Sequence, residues 1–314
     1  MPSDSRSPTT STRAVRPGSG YVGRVSVERW AEHVAIPTPG VPSEAAVWSL
    51  RRLLLPIVRL AHRPTLEGIE NLPETGPFLL VANHSGALAV AEIDTFAALW
   101  ADRFGRSRPL AGFAHPFGFA VWPLTFVHRH LGTIPSTYGA AATALGSGVP
   151  ILVFPGGDHE VTRPFWQANR VDFGGRHGFA RIAHRAWVPI VPMGIRGSHL
   201  TAPVLWRSRI LPWLLVWPRV VGVKRWPITL LAVLGSIAIL FLVPASLPLR
   251  VLAAWLWMAT PITLLPWLPL TIHIRIGAPI APDALFASRE QATDDALARA
   301  AKVVESAVQA LVRP

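Results

Sequence analysis

A histidine lies two residues after an apolar run that ends at residue 82, and it is the first candidate for chemistry in this chain. The segment 79–96 reads LLVANHSGALAVAEIDTF and places His84 after Asn83. A neutral imidazole can take a proton from an attacking hydroxyl near pH 7, and a carboxylate on its second ring nitrogen makes it a better base. Glu92 and Asp94 are the next acids, and either could fold back to the ring, although Asp94 could instead cap the following helix. We predict His84 as a general base and keep both acids as candidate partners.

A glycine turn after a second apolar run is the other candidate. The segment 153–165 reads VFPGGDHEVTRPF, and backbone amides at Gly156 and Gly157 could cradle phosphate or an oxyanion. Arg163 can pair with a phosphate, and Glu160 can orient that arginine or bind a substrate hydroxyl. An ordinary turn between a strand and a helix is the alternative. The concentration of polar groups around the turn favours a binding site.

Several other chemistries lack the residues that they need. The chain has no cysteine, which excludes disulfides, thiol nucleophiles and thiolate metal sites. It contains no Gly-x-Ser-x-Gly elbow and no P-loop, and no Gly-x-Gly-x-x-Gly turn follows a predicted strand. The segments 128–130 and 158–160 hold histidines and acids without the spacing of a metal site. We therefore predict neither a metal nor a cofactor.

The composition indicates contact with lipid. Of 314 residues, 50% are hydrophobic and only 15% are charged, and 13 tryptophans stand beside two tyrosines. The net charge of +12 suits an anionic membrane surface or a phosphate-bearing substrate. Nucleic-acid binders usually interleave basic runs with aromatic residues, and this chain does not. We expect a lipid partner and no nucleic acid.

Short apolar runs alternate with helix-like segments through the first two thirds of the chain. This alternation predicts an α/β fold with a mostly parallel central sheet flanked by helices. Chemistry in such sheets gathers where strands end, and both candidate segments stand at strand ends. The strands are predicted at Phe78–Ala82, Pro150–Phe154 and Val188–Met193, and the helices at Asp94–Phe104, Tyr138–Leu145 and Gly178–Ala186.

The N-terminal part combines a polar tail with an amphipathic helix. Residues 1–20 are rich in Ser, Thr, Pro and Gly and lack the apolar core of a signal peptide, which predicts a disordered cytoplasmic tail. Residues 43–61 follow a helical apolar period that begins at Ser43, with Arg51, Arg52 and Arg59 beside it. This helix could lie on a bilayer surface or pack on the domain.

Two uncharged runs suggest an inserted apolar helical hairpin. Pro227 to Leu249 and Val251 to Ile274 contain no charge, and each exceeds the roughly 20 residues that a bilayer span needs. Basic residues at both outer ends would keep these ends in the cytoplasm. Prolines crowd the second run, so a re-entrant hairpin and a buried soluble helix pair remain alternatives. Beyond it, LTIHIRIGAPI predicts a strand, and Ser288 is predicted to begin a C-terminal helix.

Four segments together resemble a known family. NHSG with its following acids, LGTIP, FPGGDHEVTRPFW and VPIVPMGI resemble, in order, the sequence blocks of the phospholipid/glycerol acyltransferase superfamily, which includes 1-acylglycerol-phosphate acyltransferases. The PGG form is similar to the diacylglycerol-acyltransferase-like and actinobacterial branches. The resemblance runs from about Leu50 to Gly197 and resumes near Ile272.

The resemblance implies an O-acyltransferase that moves a fatty acyl group from acyl-CoA or acyl carrier protein to a hydroxyl of a glycerolipid or lysophospholipid. It implies His84 as the base, no covalent intermediate, an acceptor or phosphate site at Gly156, Gly157 and Glu160, and Arg129 just upstream of the second block. We expect the catalytic domain on the cytoplasmic face of the cell membrane. The predicted division is a tail (1–20), an acyltransferase domain (21–210), a membrane-associated hairpin (211–270) and a closing strand and helix (271–314).

The chain departs from the family pattern at two places. The family usually carries His-x4-Asp, whereas Ala89 stands five residues after His84; branches with a longer loop favour Glu92 over Asp94. If neither acid reaches the ring, a non-catalytic lipid-binding or scaffold relative is the alternative. The second departure is the long apolar insertion before LTIHIRIGAPI, where shorter relatives have a loop.

Overall fold

The computed structural model describes residues 36, 38–85, 91–220 and 225–313. The predicted tail, residues 1–20, lies outside these ranges. The strands of the described chain are β1 Thr65–Glu67, β2 Leu79–Ala82, β3 Ala111–Ala114, β4 Ile134–Pro135, β5 Ile151–Val153, β6 Ile190–Arg196, β7 Val204–Ser208, β8 Trp226–Thr229 and β9 His273–Ile276.

Helices connect these strands and cover the sheet. A π-helical turn joins α1 to α2, and short 3₁₀ turns occur in several loops. The α-helices are α1 Glu44–Ser49, α2 Leu55–His62, α3 Ala91–Phe104, α4 Leu124–Leu131, α5 Tyr138–Gly146, α6 Gly157–Val161, α7 Gly178–Ala186, α8 Leu211–Leu214, α9 Trp217–Val220, α10 Leu230–Leu242, α11 Leu247–Ala259, α12 Pro282–Leu285 and α13 Asp294–Val312.

The central sheet is mixed but mostly parallel. Its order within the described residues is β1-β9-β6-β2-β5-β3-β4. The run from β6 to β4 is parallel throughout, β9 is antiparallel to β6, and β1 is parallel to β9. The predicted α/β fold with a mostly parallel central sheet flanked by helices is confirmed.

The β2 strand lies at the centre of two apolar cores. Its four side chains are completely buried, because β5 and β6 flank the strand and helices cover both faces. Leu79 and Val81 point into the core that α5, α7 and α13 cover, whereas Leu80 and Ala82 point into the core under α3. Alternation along the strand produces this division. The residue after β2 is thereby held at a fixed height on the carboxyl edge of the sheet.

The C-terminal helix begins later than predicted. Thr293 caps α13 by accepting a hydrogen bond from the backbone N–H of Ala296 at 3.2 Å. Ser288 instead accepts from the N–H of Glu290 in a local turn, so it does not begin the helix. A serine oxygen serves a turn as readily as a helix, and this alternative explains the error. The helix then packs on β6, where Gly194 leaves room for Leu311.

The chain leaves the central sheet between β6 and β9 and forms a separate subassembly. The strands β7 and β8 form an antiparallel ribbon, with α8 and α9 between them. The helices α10 and α11 follow and pack on each other, and Thr229 caps α10 through the N–H of Ala232. The Trp257 indole donates to the Ala232 carbonyl at 3.2 Å, and it lies where a side chain at Gly235 would collide.

The prediction that the two apolar segments span a membrane is wrong, because the helices that they form are too short. Each helix, α10 and α11, has 13 residues, which corresponds to about 20 Å at 1.5 Å per residue, against a bilayer core of about 30 Å. In the ranges that the structure describes, no helix combines the length and apolarity that crossing a membrane requires. Pro227 lies in β8, Pro244 in the turn between the helices and Pro261 in a 3₁₀ turn after α11.

The N-terminal helical segment exposes its large apolar side chains. Ser43 caps α1 as predicted, by accepting from the N–H of Ala46 at 3.1 Å. Leu55 and Val58 of α2 are buried against the domain. Trp48 and Leu60, by contrast, are 57% and 85% exposed. One side of this segment packs on the domain, and the predicted apolar period lies largely on the other side.

Candidate active site

Three parallel strands bring the candidate residues to one edge of the sheet. The carboxyl ends of β5, β2 and β6 are adjacent, because β2 pairs with both of the others in parallel register. His84 follows β2, the 155–157 turn follows β5, and the turn 197–201 follows β6. Loops at this edge of a parallel sheet are the usual location of α/β sites.

Asn83 extends the β2–β6 pairing with its side chain. Its amide nitrogen donates to the Ile195 carbonyl at 2.8 Å, and its oxygen accepts from the Ile195 N–H at 2.7 Å. Both groups are buried, so losing either bond would leave a buried backbone group unpaired. Sequence reasoning assigned Asn83 only to a loop; an asparagine directly after a fully apolar strand is the signal that it missed.

His84 and Glu92 form a hydrogen-bonded pair. His84 Nδ1 lies 2.6 Å from Glu92 Oε1, and the same oxygen accepts from the Ser85 N–H at 2.8 Å. Because this oxygen acts as an acceptor, we assign the ring proton to Nδ1 and the lone pair to Nε2. No hydrogen bond occupies Nε2 within the described residues. The imidazole is therefore oriented as a base with one free nitrogen.

The His84 ring is partly accessible. Its side chain is 14% exposed, whereas that of Glu92 is completely buried. The ring packs on Phe154, with centroids 4.8 Å apart and planes at 33°. Phe154 therefore limits rotation of the imidazole, and the remaining exposure leaves an approach for a reactant.

The partner of His84 is Glu92 and not Asp94. Both acids lie in the first turn of α3, but residues two apart on a helix point in nearly opposite directions. Glu92 faces the sheet and is buried, whereas Asp94 is exposed and makes no hydrogen bond to His84. Because of its position on the helix, Asp94 does not contact the His84 ring, and the prediction of Asp94 as the partner of His84 is wrong.

Glu160 holds the backbone of His84. Its Oε2 accepts from the His84 N–H at 2.9 Å, and its Oε1 accepts from the Asp172 N–H at 3.0 Å. The side chain is fully buried, and this burial raises the pKa of Glu160 to about 7, against the two backbone N–H donors and Arg163. Glu160 was predicted to bind substrate, but with both oxygens occupied and none exposed it positions His84 instead.

The glycines of the 155–157 turn leave space for neighbouring side chains, whereas the sequence predicted that their amides bind an anion. Gly157 has φ +46° and donates its N–H to the Phe154 carbonyl at 3.2 Å, so this amide is not bare for an anion. A Cβ at Gly156 would collide with the Glu160 carboxylate. Arg176 donates to the Gly156 carbonyl at 2.7 Å and to Asp158 at 2.5 Å. The glycines make room for Glu160 and Arg176.

The two predicted arginines have different positions. Arg163 is 2% exposed, its guanidinium lies 3.7 Å from Glu160, and none of its side-chain nitrogens has a hydrogen-bond acceptor in the described structure. Burial lowers the pKa of Arg163, and Glu160 opposes that effect. Arg129 lies on the exposed side of α4, and no hydrogen bond or ion pair of the described chain joins its side chain to His84 or its neighbours. The structure brings Arg163 to the site and leaves Arg129 apart.

The turn 197–201 adds groups that sequence reasoning missed. The Ser198 hydroxyl is hydrogen-bonded to the Ser85 hydroxyl, next to His84. His199 Nε2 lies 2.8 Å from the Arg163 carbonyl, which can only accept, so Nε2 carries the proton. Burial lowers the pKa of His199 to about 4, and its Nδ1 has no partner within the described residues. Only the position of Gly197-Ser198 after a predicted strand could have indicated this turn.

The chain is similar in sequence to known proteins. Residues 63–196, which contain His84, Glu92, Glu160 and Arg163, match the family model described as Acyltransferase. An uncharacterised protein of Mycobacterium tuberculosis (strain H37Rv) is 31% identical over 180 residues, which cover 57% of this chain and 48% of that protein. An uncharacterised protein of Mycobacterium leprae is 31% identical over 184 residues, covering 59% and 48%.

The matched region thus spans about half the length of these curated relatives. Among solved structures, the 1-acyl-sn-glycerophosphate acyltransferase PlsC from Thermotoga maritima is similar, with a TM-score of 0.44 and 19% identity over 80% of this chain and 73% of that one. Residues 63–196, which carry His84, therefore match the Acyltransferase family model, in agreement with the resemblance of the ordered sequence blocks to the phospholipid/glycerol acyltransferase superfamily.

Proposed function

We propose that the protein transfers a fatty acyl group from a thioester, acyl-CoA or acyl carrier protein, to a hydroxyl of a glycerolipid or lysophospholipid. One observation carries this proposal: the 2.6 Å contact between His84 Nδ1 and Glu92 Oε1, in a partly exposed ring whose Nε2 has no hydrogen-bond partner among the described residues. An imidazole oriented in this way suits proton removal from an alcohol. The family match supports the reaction class.

In the proposed mechanism, His84 Nε2 takes the proton of the acceptor hydroxyl as the oxygen attacks the thioester carbonyl. The C–S bond breaks, the new ester forms, and the imidazolium returns its proton to the departing thiolate. Glu92 stabilises the positive charge on the ring between these steps. No covalent intermediate, metal or cofactor takes part.

The surrounding residues have supporting roles in this proposal. Glu160 and Asn83 fix the backbone that leads into the His84 Cα, so that the ring keeps its orientation. Arg163 has buried guanidinium nitrogens without acceptors, and in this proposal its positive charge stabilises negative charge that develops in the transition state without contacting the substrate directly. Gly156 contributes by leaving space for the Glu160 carboxylate.

We further propose that the protein acts on the cytoplasmic face of the cell membrane, where both donors are available. Large apolar side chains and tryptophans are exposed on three elements: the N-terminal helical segment, the 206–213 segment and the tip of the α10–α11 pair. Exposed patches of this extent commonly mark membrane or protein contacts. We call these side chains the apolar face: Trp48, Ile57, Leu60, Trp206, Ile210, Trp213, Phe241 and Leu242.

The test uses the purified full-length chain in lipid vesicles. Labelled acyl-CoA and acyl carrier protein are offered with a panel of monoacylglycerol, diacylglycerol and lysophospholipid acceptors, and products are read by mass spectrometry. We expect His84→Ala to lower kcat by about 100-fold or more, because general-base catalysis commonly contributes that much. Unfolding temperature and vesicle binding should stay at wild-type values.

His130→Ala is the matched control, since it removes a histidine whose ring is hydrogen-bonded to the Phe126 carbonyl and packs on the Phe126 ring within its own helix. Its turnover should equal that of the wild type. Turnover by His84→Ala at the control rate would exclude His84 as the base. Absence of turnover with every donor, with vesicle binding intact, would favour a lipid-binding protein, and release of free fatty acid without an acceptor would indicate thioester hydrolysis.

A further inference from the structure

Three arginines of the β7–β8 ribbon form a cluster beside the candidate active site. Arg207 and Arg209 are two residues apart, so they lie on one face of the β7 strand and its extension. The β7–β8 register pairs Arg207 with Pro227 and Ser208 with Trp226, and its continuation places Arg225 opposite Arg209. We call Arg207, Arg209 and Arg225 the arginine cluster. Like charges directly opposite each other in a sheet are unfavourable.

The acids near this cluster are already paired with other groups. Among the described residues, no carboxylate forms an ion pair with any of its three guanidinium groups. Asp158 is hydrogen-bonded to Arg176 at 2.5 Å, and Asp172 lies 3.3 Å from both Arg170 and His159. Within the described residues, the arginine cluster therefore carries positive charge without a direct ion-pair partner.

The electrostatic state of Arg207 agrees with this description. Burial lowers the pKa of Arg207 first, and the nearby charges of Arg225 and Arg209 lower it further. The charges of Asp172 and Asp158 act in the opposite direction. The β7–β8 register keeps the backbone positions of the three arginines adjacent. An anion between them would remove the repulsion.

The arginine cluster is connected to the site through a short path. Arg207 donates to the His159 carbonyl at 3.3 Å, and the next residue, Glu160, accepts from the backbone N–H of His84. Neighbouring strand residues point to opposite sides, so Trp206, which is 63% exposed, faces away from Arg207. The ribbon thus separates an apolar side from a cationic side, and the cationic side adjoins the catalytic loop.

We propose that the arginine cluster is a phosphate-binding site at the rim of the active site. The proposal rests on the proposed function and deepens it, because the phosphate would belong to a substrate of that reaction. The source is either the nucleotide end of an acyl-CoA donor or the headgroup of a phosphate-bearing acceptor. Guanidinium groups suit this ligand, since each can donate two parallel hydrogen bonds to phosphate oxygens.

The test measures binding and does not require turnover. The full-length protein in detergent micelles is titrated with coenzyme A, with a lysophosphatidic acid, and with a monoacylglycerol of the same chain length. Arg209→Gln/Arg225→Gln removes two cluster charges. The single variant Arg209→Gln is compared with Arg219→Gln as its matched control. In the wild type, the Arg219 guanidinium stacks on Trp213 at 4.3 Å, outside the cluster.

We expect the double variant to raise the Kd of one phosphate ligand by about tenfold or more, as loss of charged hydrogen bonds predicts. The ligand that is affected identifies the source of the phosphate. The monoacylglycerol and the Arg219→Gln variant should keep wild-type values. The proposal is overturned if neither phosphate ligand binds the wild type, or if both bind the double variant unchanged. Because the test measures Kd and not turnover, it gives a result for the phosphate site even if the protein does not transfer acyl groups.

Discussion

At the scale of single residues, the site depends on a buried carboxylate that a substrate does not reach. Glu160 accepts hydrogen bonds from two backbone N–H groups that are distant in sequence, those of His84 and Asp172. Its charge is unfavourable in a buried position, which is why its pKa rises to about 7. The fold retains this charged group because it fixes the loop that carries the imidazole.

Gly156 provides a direct test of this role. In Gly156→Ala, the new methyl group would collide with the Glu160 carboxylate, which must then move away from the His84 N–H. We expect a loss of about 1–3 kcal/mol in the free energy of unfolding, typical of overpacking, and a kcat at least about tenfold lower through the displaced imidazole. Urea unfolding and initial-rate kinetics measure the two effects.

The control for this prediction is Gly146→Ala. Gly146 is the last residue of α5, and a Cβ there meets no atom within 4 Å. That variant should keep its activity, and its stability should stay equal or rise by up to about 1 kcal/mol, because alanine is the better helix former. Equal behaviour of the two variants would show that Glu160 does not need the space at Gly156.

The sequence identified the residue types of the site better than their contacts. His84 and the glycine turn stand at strand ends, which periodicity reveals, and the longer loop correctly favoured Glu92 as the hydrogen-bond partner of the ring. The contacts of Glu160 were not predictable, since Asp172 lies in an irregular segment whose position depends on tertiary packing. For the same reason, the pairing of Ser85 with Ser198 left no signal in the sequence.

At the scale of elements, the turn 197–201 connects the central sheet to the ribbon. Gly197 has φ +95°, and a Cβ there would collide with the Thr271 carbonyl, so the turn needs glycine at its first position. His199 then reaches the Arg163 carbonyl from the other side. The turn therefore couples α6 and its following loop to the start of the ribbon.

We predict that this turn makes stability sensitive to acid through His199. The folded protein keeps His199 neutral down to a pKa of about 4, whereas the unfolded chain takes up the proton near 6.5. Unfolding therefore binds a proton between these values, and stability falls by up to about 3 kcal/mol as pH drops from 6.5 to 4. His199→Gln can keep the hydrogen bond to the Arg163 carbonyl and lacks this titration.

The measurement is the difference in unfolding free energy between the wild type and His199→Gln across this pH range, followed by tryptophan fluorescence. The difference should shrink toward pH 4. Glu160 contributes in the opposite direction, since its raised pKa makes the charged form unfavourable as pH rises through 4.5 to 7, but it is present in both proteins and cancels. A difference that stays constant with pH would contradict the prediction.

Strands within long apolar runs were predictable, and the strands β1, β3 and β4, which lack such runs, were not. The β2, β5 and β6 strands were predicted to within a few residues, because burial on both faces requires continuous apolar sequence. The β1, β3 and β4 strands have two to four residues and include Glu67, Gly112 and Pro135, which are poor strand formers. Prolines also flank the two helices of the apolar hairpin, and each helix has only 13 residues. Hydropathy alone did not reveal this shortening.

At the scale of the whole molecule, the apolar face and the net charge of +12 act together. The apolar face combines exposed side chains of the N-terminal helices, the ribbon and the hairpin, and exposed basic residues such as Arg51 and Arg52 lie beside those of the N-terminal helices. Anionic lipid would attract the basic residues, and the bilayer interface would accept the apolar ones. Neither contribution alone holds a protein firmly on a membrane.

The tip of the α10–α11 pair tests this arrangement. Phe241 and Leu242 are each 78% exposed, and burying two such side chains in the interface stabilises binding by about 3–6 kcal/mol. Phe241→Asp/Leu242→Asp should therefore weaken binding to anionic vesicles by about 100-fold or more in a sedimentation assay. Val303→Asp, at a 52% exposed position of α13 outside the apolar face, should bind as the wild type does. Because the tip makes no contact with His84, turnover of a detergent-dispersed substrate should persist in both variants. Unchanged vesicle binding by Phe241→Asp/Leu242→Asp would exclude the hairpin as the anchoring element.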